Sequence, residues 1–266
     1  MENPVITLTT DFGYKDPFVG IMKGIILDIN PVAKVIDITH GIGPQNIHEA
    51  ALALEMSFKT FPRNTIHLVV VDPGVGSTRR PILVVTEDYY FIGPDNGVFS
   101  RIFALSERLL VLHISASHYF LKKDGSTFQG RDIFAPIAAW LSKGIEISNF
   151  GDPITDFKKI TVPSAQMTGQ NVIDGEVVYI DRFGNTMTNI HAEKISEMTS
   201  NNSENKIKVL IKGKEIPFKT YYAQVKDTGL YALINSFGYL ELFVRNGSAA
   251  RTFGIKVGEK VGVMLR

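Results

Sequence analysis

The stretch Ile66-His67-Leu68-Val69-Val70-Val71-Asp72-Pro73-Gly74-Val75-Gly76-Ser77-Thr78-Arg79-Arg80 decides how the first half of the chain reads. Ile66–Val71 is an apolar run of the kind presented by a parallel strand buried on both faces. It stops at Asp72-Pro73-Gly74, where a carboxylate and two turn-forming residues follow. The same grammar recurs on either side. Val5–Thr9 is a β-branched run ending at Asp11-Phe12-Gly13. Asp16–Ile29 carries Phe18, Val19, Met22, Ile25, Ile26 and Ile29 at helical spacing until Asn30-Pro31 stops it. Lys34–Ile38 reads as a strand. Asn46 with Glu49 three residues on resembles a capping box that opens a helix to about Thr60. Ile82–Thr86, Tyr89–Ile92 and Leu109–Ile114 read as strands, and Asp132–Lys143 as a helix. Strands alternating with helices predict an α/β domain over residues 1–150, with a doubly wound, mostly parallel sheet.

The grammar then changes. Gly151-Asp152-Pro153 and Pro163 mark residues 151–170 as linker. Val172–Ile180, Thr186–Ile190, Lys206–Ile211, Leu230–Ile234, Leu240–Val244 and Lys260–Leu265 are short strands between turn residues, with one helical stretch at Ala192–Met198. They predict a smaller all-β, barrel-like domain over 171–266. Asn201-Asn202-Ser203-Glu204-Asn205 reads as a polar surface loop. A length of 266 residues accommodates two such cores. The net charge of +1 argues against nucleic acid or an anionic membrane as partner. The absence of cysteine excludes disulfides, thiolate metal sites and a thiol nucleophile. The start Met1-Glu2-Asn3-Pro4 lacks the basic and long apolar stretches of a signal peptide, and no apolar run is long enough to span a bilayer. The expectation is a cytoplasmic protein.

Three strand ends in the first half carry polar residues: Thr9–Gly13, Thr39-His40-Gly41 and Asp72–Gly76. Ligands of open α/β sheets bind beyond the carboxyl ends of strands, so these loops are expected to line one site. Turn capping by Asp11 and Asp72 is the alternative. Gly74-Val75-Gly76 lacks the dinucleotide and P-loop patterns and reads as a turn that lets backbone approach a ligand. Arg79 or Arg80 can fold back onto Asp72, either as a structural salt bridge or as part of the chemistry. A carboxylate so paired suits orienting a water better than taking its proton. Gly93–Gly97 reads as a turn. His40 and His48 read as packed or surface residues, since the histidines show no metal-ligand spacing. No Gly-x-Ser-x-Gly elbow supports acyl transfer. In the second half, Asp181–Asn185 and Asn235–Gly238 interrupt apolar strands. Each is explained by a hairpin turn, yet each also offers an aromatic ring and an amide suited to an adenine or ribose.

Taken together, Thr9–Gly13, Asp72–Arg80, Gly93–Gly97, Phe128–Pro136, Asp181–Asn189 and Asn235–Ala250 resemble the S-adenosylmethionine hydrolases, also called S-adenosylmethionine hydroxide adenosyltransferases, to which fluorinase and chlorinase are related. The resemblance spans nearly the whole chain. It implies an α/β domain plus a β-barrel, a homotrimer with sites between subunits, a small-molecule substrate, no added cofactor and no metal. It implies that Asp11 binds the ribose hydroxyls, that Asp181, Phe183, Asn185 and Ser236 hold the adenine and methionine ends, and that the Gly247–Ala250 backbone, Ala249 included, borders the adenine. The implied reaction is S-adenosylmethionine plus water giving adenosine and L-methionine. Of the family's water-handling Asp-Arg-His set, Asp72 and Arg79 match. The third position departs, because this chain reads Phe128-Gln129-Gly130-Arg131-Asp132 where the family has His. Asp72 also stands where the fluorinase pattern has Tyr, which disfavours halide. A non-catalytic S-adenosylmethionine or adenosine binder, and a transferase using another nucleophile such as halide, are the alternative readings.

Overall fold

The computed structural model describes residues 4–121, 127–169, 171–199 and 207–265. The polar loop read at Asn201–Asn205 lies outside the described residues. The chain divides into two compact units, Met1–Val162 and Pro163–Arg266.

In the first unit β1 (Val5–Thr10), α1 (Phe18–Ile29), β2 (Lys34–Thr39), α2 (Ile47–Ser57), β3 (Ile66–Val70), β4 (Pro81–Val85), β5 (Tyr90–Pro94), α3 (Ser100–Leu105), β6 (Leu110–Ile114), α4 (Ala135–Ser142) and β7 (Gly151–Pro153) follow in order. The seven strands form one sheet in the order β2-β1-β3-β5-β4-β6-β7. Successive strand side chains point to opposite faces, and β3 uses both. Ile66, Leu68 and Val70 pack with α1 and α4, while Val69 packs with α2 and α3. Helices on both faces explain why this strand is apolar apart from His67. Asn46 caps α2, its Oδ1 accepting from Glu49 N at 3.1 Å. The Glu49 carboxylate accepts from Gly43 N and Asn46 Nδ2 and not from the Asn46 main chain, so the reciprocal half of the expected box is replaced by a loop contact.

The sheet is more mixed than the alternation suggested. β2, β1, β3 and β5 run parallel, but β4, β6 and β7 are attached antiparallel. The reason is local. β4 and β5 are joined by a turn closed by Thr86 N donating to Tyr89 O at 3.0 Å. A connection this short makes a hairpin, never a crossover. Within the stretch read as linker, Gly151–Pro153 pairs with β6 as the sheet's edge. Asp132–Lys143 begins as a π-helical turn, Gly130–Phe134, before α4.

The second unit holds β8 (Gln166–Met167), β9 (Val172–Ile180), β10 (Thr186–His191), α5 (Ala192–Thr199), β11 (Ile207–Ile211), β12 (Lys214–Ile216), β13 (Tyr231–Ile234), β14 (Tyr239–Phe243), α6 (Ala249–Phe253) and β15 (Lys260–Leu265). They form one antiparallel sheet, ordered β12-β11-β15-β9-β10-β14-β13, with β8 beside β9. Its two ends approach through a bridge between Phe218 and Ala232, which makes it barrel-like. Alternate residues Ile173, Val177, Val209, Ile211, Val261 and Val263 fill the interior.

His67 is a polar residue inside β3. Thr7 Oγ1 lies 2.8 Å from its Nδ1, and its ring stacks on Phe91 with centroids 5.2 Å apart. Burial pushes its pKa down from 6.5 to about 3. The folded value is below the unfolded one, so this histidine's share of stability is complete above about pH 6.5. It is lost as pH falls toward 3, at roughly 1.4 kcal/mol per pH unit. His67→Phe is therefore expected to flatten the stability profile from urea unfolding between pH 6.5 and 4. Parallel profiles for the two proteins would contradict this.

Candidate active site

Parallel pairing places the carboxyl ends of β1, β2, β3 and β5 along one edge, and the loops there are tied to one another. Gly13 N donates to His40 O at 2.8 Å, joining the loops after β1 and β2. Asp11 Oδ2 accepts from Gln45 N at 2.8 Å. Gln45 holds a left-handed φ of 64°, a conformation that costs a residue with a side chain of order 1 kcal/mol. Asn96 Nδ2 donates to Val71 O at 2.9 Å, joining the loops after β3 and β5.

The loop after β3 carries an ion pair whose two side chains are both buried. Arg79, and not Arg80, folds back onto Asp72. Nε donates to Oδ1 at 2.9 Å, and Nη2 donates to Oδ2 in the bidentate fork that suits guanidinium and carboxylate. The side chains are 3% and 5% exposed. Ser77 shapes the turn between them, donating from Oγ to Gly74 O and accepting from Arg79 N. The guanidinium also lies over the Phe134 ring, 5.3 Å from its centroid. Phe134 ends the π-helical turn that Gln129 precedes. Two buried polar atoms in this neighbourhood, Arg79 Nη1 and Gln129 Oε1, have no hydrogen-bond partner among the described residues. One is a donor and the other an acceptor, and burying such groups unpaired costs free energy that a polar ligand or water recovers.

Arg80 is used elsewhere. It pairs with buried Asp95 at 2.8 Å and with Asp156 at 2.8 Å, and Asp95 also accepts from Lys158 N. The Gly93–Gly97 segment is thus more than a turn: it anchors the chain that leaves β7.

His40, which the sequence presents as a packing residue, is fully buried and organises the Asp11 loop. Its Nδ1 lies 2.8 Å from Thr10 Oγ1, which in turn accepts from Phe12 N. Its Nε2 is 3.1 Å from Asp37 Oδ1, too poorly aligned for a hydrogen bond. Burial alone would raise the Asp37 carboxyl, but its interactions with Lys23 and His40 bring it below the usual range. His48 is exposed.

The second unit presents an open cleft of about 800 Å³ whose lining includes Asp181, Phe183, Asn185, Tyr222, Arg245 and Gly247. Asp181 accepts from Asn185 N at 2.8 Å and from Asn185 Nδ2 at 3.0 Å, closing a turn that pushes Phe183 out to 75% exposure. Gly184 is required within it: its φ is +88°, and a Cβ at this position would lie only 1.9 Å from Ser248 Oγ. Ala249 is fully buried in the barrel core beneath the cleft wall. Ser236 is exposed in the turn between β13 and β14 and is not among the residues lining the cleft. Tyr222 and Glu241 escaped sequence reasoning. Burial and a hydrogen bond to Glu241 raise the Tyr222 phenol, and burial raises the Glu241 carboxyl. A charge inside Leu240-Glu241-Leu242-Phe243 was the available signal, because an apolar strand does not bury a carboxylate without a partner. Among the described residues no group of three or more His, Asp or Glu is gathered as a metal site would require.

An α/β unit with a buried carboxylate–guanidinium pair at its carboxyl edge, followed by a barrel-like unit with an aromatic-lipped cleft, defines a two-unit small-molecule-binding protein. The chain belongs to the SAM hydroxide adenosyltransferase family: that family's N-terminal domain pattern matches residues 6–151 and its C-terminal domain pattern matches residues 175–262. The (R)-S-adenosyl-L-methionine hydrolase of Methanocaldococcus jannaschii is 36% identical over 259 residues, 92% of this chain and 90% of that one. The hydrolase of the same name from Thermus thermophilus is 31% identical over 268 residues, 98% of this chain and 99% of that one. A solved structure of an uncharacterized conserved protein from Thermotoga maritima superposes with a TM-score of 0.89 at 33% identity, covering 98% of this chain and 99% of that one. A fluorinase from Actinopolyspora mzabensis matches at 24% identity over 98% of this chain and 97% of its own length.

Removing one member of the Asp72–Arg79 pair strands the other in a buried site. Arg79→Met is expected to cost about 3–5 kcal/mol in chemical unfolding, and Asp72→Leu/Arg79→Met to cost less than Arg79→Met alone. A double variant as destabilised as the sum of the singles would show that the two groups are not coupled.

Proposed function

We propose that the protein hydrolyses (R)-S-adenosyl-L-methionine at C5′, giving adenosine and L-methionine. The observation that carries the reading is the buried Asp72–Arg79 fork, with Arg79 Nη1 as a spare donor, and with Gln129 Oε1, at the start of the π-helical turn whose Phe134 lies against Arg79, as a spare acceptor. Full-length identity above 30% to proteins named for this hydrolysis supports the substrate and its sulfonium configuration.

The chemistry asks little of an acid. The sulfonium leaves as the neutral thioether of methionine, carrying the C–S bonding pair. The water oxygen bonds to C5′, and the proton it sheds passes to solvent. What remains is to aim one oxygen in line with the C5′–S bond and hold it there, and positioning of this kind supplies much of an enzyme's acceleration. Asp72 accepts a hydrogen bond from the water, Arg79 fixes the carboxylate, and Gln129 gives a second anchor through its amide. Asp11, already oriented by Gln45 N, takes the ribose hydroxyls. Phe183 stacks on the adenine, Gly247 borders it with backbone while Ala249 supports that wall from the core beneath, and Asp181, Asn185 and Ser236 hold the polar ends of the substrate. The assembly in this reading is a homotrimer with sites shared between subunits and no cofactor beyond the substrate. Light scattering at three times the chain mass is expected, and a monomer mass contradicts it. A halide nucleophile is the weaker reading, since Asp72 occupies the position of the fluorinase Tyr.

Incubation with the separated (R) and (S) sulfonium epimers should yield adenosine and methionine from the (R) form. Tight binding with no adenosine would leave a binding protein instead. Asp72→Ala is expected to lower turnover by at least about 100-fold, the scale of a lost positioning group. Gln129→His should raise the rate. Unchanged turnover in Asp72→Ala would remove Asp72 from the mechanism.

A further inference from the structure

Glu241 is a carboxylate buried in β14 whose oxygens are both engaged by side chains from outside that strand. It is 6% exposed. Oε1 accepts from Tyr222 OH at 2.6 Å, and Tyr222 stands in the cleft wall with Phe183 and Asn185. Oε2 accepts from Asn235 Nδ2 at 3.1 Å. Asn235 Oδ1 in turn accepts from Phe237 N at 3.0 Å and Tyr239 N at 3.1 Å, the bonds that shape the turn bearing Ser236. Burying a carboxylate carries a substantial desolvation cost, which an apolar side chain filling the strand would not incur. That cost needs another reason, and the reason lies in what the two oxygens connect.

We infer that Glu241 is a positioning residue that holds the cleft wall at Tyr222 and the Ser236 turn in register, so that two parts of one ligand are gripped together. Ser236 is not among the residues lining the cleft, and Glu241 is a side chain bonded both to the cleft wall and to the turn that bears Ser236. The assignment of the ligand rests on the hydrolase reading above; the mechanical link does not. Asp181 acts electrostatically on both Glu241 and Tyr222, which places a cleft carboxylate in the same cluster.

The test uses the full-length protein with Glu241→Leu, which removes both bonds, and Glu241→Gln, which preserves both because the Tyr222 hydroxyl can accept as well as donate. Glu241→Leu leaves the Tyr222 hydroxyl and the Asn235 amide without their acceptor and should lower the melting temperature modestly. It should raise amide hydrogen exchange at Phe237 and Tyr239 by about tenfold, the scale of one lost hydrogen bond. The KM for S-adenosylmethionine should rise by roughly the same factor with kcat within about twofold. Glu241→Gln should restore both readings. Tyr222→Phe, which cuts the cleft arm from the surface and does not threaten the core, should raise KM while leaving exchange at Phe237 and Tyr239 at the wild-type level. Wild-type exchange and KM in Glu241→Leu would overturn the inference, as would failure of Glu241→Gln to restore them. Raised exchange in Tyr222→Phe would point to general loosening and overturn it too. Should the wild type not turn over S-adenosylmethionine, the hydrolase reading fails by itself, and the exchange measurements, which need no ligand, still decide the link.

Discussion

Parallel pairing of β2, β1, β3 and β5 is the constraint on which the first unit's chemistry depends. Each pairing aligns the carboxyl ends, so every loop leaving those strands emerges on the same edge. Asp11, Gln45, Asp72 and Asn96 are far apart in sequence and become neighbours for that reason alone. Burial of β3 on both faces locks the register, because a one-residue slip would exchange the side chains that face α1 and α4 with those that face α2 and α3. The antiparallel strands β4, β6 and β7 extend the sheet without supplying that edge. Arg79 and Arg80 lie just before β4, and the segment after β7 is seated on Asp95 through Lys158 N.

Both units solve one problem in the same way. A polar group that must keep a fixed direction is buried and given partners on separate elements. Arg79 is held by Asp72 and lies over Phe134. His40 is hydrogen-bonded to Thr10 and lies 3.1 Å from the Asp37 carboxylate. Glu241 is held between Tyr222 and Asn235. In each case low local dielectric strengthens the bonds that exist and penalises any that break, so orientation is stiff. The exposed counterpart, Phe183, is left free of packing and available to a ring.

Strand and helix periods make most elements legible in the sequence. Val172–Ile180 and Lys260–Leu265 coincide end to end with the structure, since period-two burial and turn residues at both ends leave no freedom. The Asp72–Arg79 pair is legible as a candidate, but spacing alone does not choose between Arg79 and Arg80. That choice is made by the turn at Ser77 and by the demand of Asp95 for a cation. The antiparallel half of the first sheet is less legible, because alternation of strands and helices says nothing about a hairpin placed among them. Short pieces such as Lys214–Ile216 and Ala249–Phe253 carry too few residues to show a period. Glu241 escapes notice because it sits in an apolar run that reads as strand, and its partners are 6 and 19 residues away in sequence.

The central claim is that water attacks C5′ under the direction of the Asp72–Arg79 pair. Turnover in oxygen-18 water tests it most directly. The account predicts one heavy oxygen in the 5′-hydroxyl of the product adenosine and none in methionine. Unlabelled adenosine, or a product in which C5′ remains bonded to sulfur, would contradict it.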